Sequence, residues 1–191
     1  MNLRIVTLGC TLIFGLAGIA HAQGRPDFRI KTIRRQQVEA PKYGGGGDLG
    51  GQPAQLWRQW YKIEVQFESE PDWADDVKLK YYVLVGKGKE QRLFSGEVTH
   101  VDVAKGTQHY SAMFMHPNTL KRYGGGQVEA VAIQLWAKGA LVDQLSDPPT
   151  RERWWEKLAP VPGYLLAPNE TPWAPIASDR FEAIKTLRPS P

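Results

Sequence analysis

The chain has 191 residues, a formal net charge of +4, seven tryptophans and a single cysteine. So mild a basic excess, spread along the chain, makes no case for a nucleic-acid partner. Cys10 on its own provides neither a disulfide nor a cysteine metal set, and a chain of this size can bury enough surface for one domain without cross-links.

A basic start at Arg4, an apolar run from Ile5 to Ile19 and the exit Ala20-His21-Ala22 read as a secretory signal peptide, residues 1–22, cleaved after Ala22. The run is about 15 residues, short of the roughly 20 that span a bilayer. No second run of spanning length follows, so the mature chain is expected to carry no transmembrane segment and to reach the periplasm, outer envelope or cell surface. A lipoprotein reading at Cys10 fails, because most of the apolar run lies after it. Cleavage leaves residues 23–191 as a single domain and removes Arg4, lowering the formal charge to +3.

In chain order, DFRIKTIRRQQVEA from Asp27 reads as a strand that ends at Pro41 in a glycine-rich loop over residues 41–54. WRQWYKIEVQFE then sets Tyr61, Ile63, Val65 and Phe67 on one face, with Lys62, Glu64, Gln66 and Glu68 on the other, the period-two pattern of a half-buried strand. After a polar loop from Asp72 to Asp76 around Trp73, VKLKYYVLV repeats the pattern, and the two segments should pair or face one another across a core. GKGKEQ reads as a turn. A third strand is expected from Arg92 to Val103, with a bulge near Gly96 to explain its change of apolar phase.

The next segment, AKGTQ, reads as a turn before a strand from His109 to Met115, and NTLKRY as one helical turn capped by Asn118. QVEAVAIQLWAK and ALVDQLS form a hairpin about Lys138-Gly139. Over residues 148–191, RERWWEKL is the expected short helix, and the proline-punctuated remainder is extended. Short strands and no long amphipathic helix predict an all-β sandwich of about seven to nine strands, with a closed barrel as the alternative.

His100 and Asp102 would share one side of a strand, and a neighbouring strand could bring His109 to them as a metal site. The spacing matches no ligand signature, and an imidazole and carboxylate on a solvated sheet face explain the same residues, so the site is rejected and no cofactor is assigned. No G-x-S-x-G elbow is present. Asp75-Asp76 sits in a loop without sign of a pocket, which favours surface solvation over acid catalysis. KYGGGGDLGGQ and RYGGGQ lack the Gly-Lys-Ser or Gly-Lys-Thr ending of a phosphate loop and are expected to be mobile loops. Asn169-Glu170-Thr171 fits a glycosylation triplet and is assigned no role. Trp154, Trp155 and Trp173 lie outside the clear strands; packing against the sheets is the favoured reading, and exposure would mark them as interaction candidates for a protein or a sugar.

PDFRIKTIRRQ, GEVTHVDVAKG, HYSAMFMHPNTL, QLWAKGALVDQ and NETPWAPIASDRFEAIK together resemble a small family of pilus-associated proteins. Its members are exported and encoded near type IV pilus components in Verrucomicrobia and related bacteria. The resemblance spans most of the mature chain. It implies an immunoglobulin-like fold akin to the globular domain of archaeal type IV pilins, and no enzyme activity; it carries no functional motif onto any residue. A true pilin keeps a long apolar amino-terminal helix, whereas here the apolar run precedes an Ala-x-Ala exit, which speaks for an accessory or surface component.

The resulting expectation is an exported, non-enzymatic sandwich protein whose partners are envelope or pilus proteins, met through edge strands and the aromatic carboxy-terminal segment. The alternatives are a carbohydrate-binding module and a metal-dependent hydrolase using His100, Asp102 and His109. The sequence names no particular partner and no oligomeric state.

Overall fold

The computed structural model describes residues 26–41 and 59–186. The segment read as a leader and most of the first glycine cluster lie outside the described residues. Nine strands occur among those described. β1 (Phe28–Glu39), β2 (Gln59–Ala74), β5 (Val103–Met115) and β9 (Leu165–Leu166) form one sheet in the order β1-β2-β5-β9. β3 (Val77–Val85), β4 (Arg92–His100), β6 (Val128–Ala137), β7 (Ala140–Asp147) and β8 (Val161–Pro162) form the other, in the order β7-β6-β3-β4-β8. The architecture is an all-β sandwich. No helix among the described residues is long and apolar enough to cross a membrane.

Alternation sets each strand's inner face. β3 buries Val77, Leu79, Tyr81, Val83 and Val85 and leaves the residues between them half-exposed. It faces Ile63, Val65 and Phe67 of β2 across the seam, so the two patterned segments meet face to face rather than as paired neighbours. The β6–β7 hairpin turns on Lys138 and Gly139, both at positive φ (51° and 78°), the backbone a two-residue primed turn requires.

The third expected strand is corrected. β4 stops at His100, the chain turns at Val101 and Asp102 (φ 55°), and β5 begins at Val103 in the opposite sheet. The β3–β4 register runs unbroken past Gly96, so the phase change marks a crossing between sheets and not a bulge. Gly96 is needed for close approach instead: a Cβ there would lie 2.6 Å from Met113 Cε and 2.8 Å from Leu165 Cβ. AKGTQ belongs to β5, where irregular pairing with β2 replaces the expected turn. β2 likewise runs on through Trp73 to Ala74, in place of the expected loop.

The helices differ too. α1 (Pro117–Gly124) is a full α-helix with Pro117 in its first turn; its cap is His116, whose Nδ1 accepts from the Asn118 amide at 3.1 Å, not Asn118 itself. The second glycine cluster ends this helix rather than forming a mobile loop: Gly125 is left-handed, and the Gly126 amide donates to the Leu120 carbonyl at 3.2 Å. RERWWEKL forms only a single 3-10 turn at Trp154–Glu156. Bracketed by Pro148-Pro149 and Pro160, it is too short to repay helix nucleation.

The carboxy-terminal segment closes one side of the sandwich. β8 pairs with β4 at Phe94 and Ser95, while β9 pairs with β5 at Phe114 and Met115. Further on, the Glu182 amide donates to Tyr110 of β5, and the Lys185 amide to Thr99 of β4. The outer edges of β4 and β5 are thus occupied in part by the chain itself. On the other side, the Asp143 carboxylate of β7 accepts the Ile30 amide of β1 at 2.7 Å, and Arg35 Nε lies 2.6 Å from Asp147 Oδ2.

Candidate functional site

β4 and β5 carry His100 and Ser111 into the seam from opposite sheets. Ser111 is wholly buried and His100 is 1% exposed. Tyr81 of β3 donates its hydroxyl to Ser111 Oγ at 2.7 Å, and His100 Nε2 lies 2.8 Å from the same oxygen. His100 Nδ1 sits 3.2 Å and 3.3 Å from the carbonyls of Glu182 and Ala183. Carbonyls only accept, so Nδ1 carries the proton and Nε2 accepts from Ser111. Every polar atom of the chain from Tyr81 through Ser111 and His100 to the carboxy-terminal backbone is satisfied.

This environment sets the protonation states. Burial pushes the His100 imidazole below its ordinary value, against the hydrogen bonds it donates to the Ala183 and Glu182 carbonyls. Burial also pushes the Tyr81 phenol far above its ordinary range. A serine beside a neutral imidazole has the elements of a nucleophile and base, but here neither atom faces a space a substrate could enter. The arrangement braces the sandwich.

The rejected metal set is not assembled. His100 faces the seam, Asp102 sits on the exposed turn with its amide donating to Asp75 Oδ1 at 3.0 Å, and His109 turns to Glu182, with Nδ1 2.9 Å from Oε1. No group of three or more His, Cys, Asp or Glu side chains among the described residues is placed to hold a metal. Asp76, next to Asp75, pairs with Lys185. His100 and His109 instead flank Phe67, with ring centroids 6.3 Å and 5.3 Å away.

The outer face of the four-stranded sheet is not solvated as the period-two reading expects. Residues 173–181 lie over it, and Glu64 is 2% exposed beneath them. Arg180 reaches Glu64 with two nitrogens, at 2.6 Å and 2.8 Å, and Lys62 adds a third bond at 2.9 Å. Burial alone would raise the Glu64 carboxyl; the bonds from Arg180 and Lys62 overturn that and hold its pKa at about 2. Trp173 stacks on Phe114 at 4.6 Å and meets Trp60 edge-on at 5.7 Å.

Trp155, 5% exposed, covers Leu93 and Ala132 on the outer face of the five-stranded sheet, with Trp154 half-buried beside it. The most exposed large apolar side chain among the described residues is Trp73, at 72%. It lies near the end of β2, opposite Ala104 of β5. The polar letters around it suggested a loop, which hid its place on a paired strand.

No curated protein matches the chain. A crystal structure of a protein from Akkermansia muciniphila superposes with a TM-score of 0.71 at 20% identity, over 85% of this chain and 95% of that one. At that identity the likeness is one of fold. A family model matches residues 20–188, and the chain therefore belongs to that protein family.

Proposed function

We propose that this protein is an exported, non-enzymatic component of an envelope assembly of the type IV pilus kind, acting by protein contact. The observation that carries the reading is the burial of Ser111 and His100: the side chains with the chemistry of catalysis are spent on joining the two sheets. The resemblance to pilus-associated proteins supports the setting. Contact is supported by Trp73, a large ring held on a paired strand with no cover of its own. Trp154 offers a second partly open ring, while Trp155 and Trp173 act through the surfaces they pack.

A photo-crosslinking amino acid at position 73, introduced in the native host, tests this directly. Crosslinks to pilus or envelope proteins are expected, and they should disappear when the same probe is placed at the buried position 155. Crosslinks to cytoplasmic proteins alone, or none in piliated cells, would overturn the proposal. Fractionation and amino-terminal sequencing of the cellular protein test export: a mature start at Gln23 is expected.

A further inference from the structure

The outer face of the five-stranded sheet carries a feature that the protein-contact reading does not use. Register sets Lys78, Lys80 and Tyr82 of β3 beside Trp136, Gln134 and Ala132 of β6, and the buried alternate row of β3 turns these three β3 side chains away from the core. An open groove of about 1020 Å³ passes over Lys78, Lys80 and Trp136 towards Lys138. A second hollow of about 390 Å³ shares Lys80, Glu97 and Glu170 with it, so the two adjoin. The larger is at the upper end of the size of small-molecule sites, roughly 300–1,000 Å³.

The groove's charges are not all cancelled. Glu97 pairs with Lys78 at 3.3 Å and Asp76 pairs with Lys185, while Glu170 accepts the neutral Ala167 amide at 2.8 Å and keeps its charge, so four lysines face three carboxylates and the lining is left with a net charge of +1. Lys80 and Lys138 are left without a carboxylate partner among the described residues. Lys80 Nζ rests 4.7 Å from the centroid of the Trp136 ring. The Trp136 indole N–H and the Tyr82 hydroxyl both donate to Gln134 Oε1 at 3.4 Å, which fixes the orientation of that amide and turns its N–H groups away from those donors.

We propose that this groove binds an acidic saccharide, a chain of pyranose rings bearing carboxylates. A half-exposed ammonium over an indole, as at Lys80, is held less firmly than one bonded to a carboxylate. A ligand carboxylate would therefore draw Lys80 off Trp136, and the apolar C–H face of the same sugar would take the vacated ring face. Lys138 would meet the next carboxylate, and Thr99 and Asn169 line the same groove with a hydroxyl and an amide. An extended acidic peptide fits less well. It gains most by pairing with a free strand edge, whereas β3 and β6 are internal strands whose backbone groups are already paired on both sides.

Isothermal titration and tryptophan fluorescence with hexagalacturonate test the proposal on the intact protein. Saturable binding with a change in indole emission is expected. The affinity should fall about tenfold or more in Trp136→Ala, in the double variant Lys80→Ala with Lys138→Ala, and for the methyl-esterified oligomer, which keeps the rings and removes the charge. Trp73→Ala should bind like wild type. Since the two lysines lie on the surface, the double variant separates lost binding from lost folding, checked by an unchanged unfolding midpoint. No binding by hexagalacturonate, equal binding of the esterified oligomer, equal binding by the groove variants, or equally tight binding of polyglutamate would each overturn the proposal.

Discussion

His100 Nε2 and Ser111 Oγ lie 2.8 Å apart although the two residues belong to different sheets. The pair therefore joins the layers of the sandwich by a directional bond deep in the apolar seam, whereas the Asp143–Ile30 and Arg35–Asp147 links join them along the β1–β7 side. Tyr81 adds a second bond to the same oxygen.

Ser111→Ala should be costly for so small a change. It strands the Tyr81 hydroxyl and the His100 ring nitrogen in the core, at about 1–3 kcal/mol for each unsatisfied group. Tyr81→Phe removes one donor, leaves Ser111 its bond to His100, and should cost only about 1 kcal/mol. Urea denaturation of the two variants checks the order, and a Ser111→Ala protein as stable as Tyr81→Phe would contradict it.

Acid should loosen the brace through His100. Its folded pKa is depressed below 6.5, so the unfolded chain binds a proton that the folded one refuses. That contribution to stability is whole above pH 6.5 and is lost as pH falls below it towards the folded value. Denaturation curves measured between pH 8 and 5 should show stability falling with acid, and His100→Gln should flatten that slope.

Glu64 acts in a lower window. Its carboxyl is held at about 2 against an ordinary 4.5, so its stabilisation is present above pH 4.5 and vanishes as pH falls towards 2. Glu64→Gln leaves the Arg180 and Lys62 cations facing a neutral amide. A loss of about 3–5 kcal/mol, the range for breaking a buried pair, is the upper bound, and Arg180's exposure of 49% should bring the measured value below it. Proteolysis of the segment after residue 172 should accelerate in the same variant.

Gly96→Ala tests the close approach of β4 to β5 and β9. The added methyl meets a flexible methionine tip on one side and the Leu165 Cβ on the other. Met113 can give way, but Leu165 is fixed by its pairing with Met115. A cost of about 1–3 kcal/mol is expected by thermal unfolding, the usual penalty for overpacking.

Much of this architecture is legible in the residue order. The unbroken alternation of β3 and the Lys138-Gly139 turn are local facts, and both strands and hairpin follow from them. The crossing at Val101 and Asp102 is not, because both sheets demand the same strand-forming residues and only the aspartate's left-handed backbone marks the exchange. Glu64 reads as a surface residue until Arg180, 116 positions later, lies over it. The brace is half legible: His100 stands out, but Ser111 and Tyr81 look ordinary, and what unites the three is their meeting across two layers.

The last stretch of chain occupies the β4 and β5 edges and supplies the two carbonyls that orient His100. The seam between the two sheets consequently cannot close until residues 161–185 are in place, because the same segment that seals both borders also holds the imidazole at its centre. Until then both sheets keep an unsealed border.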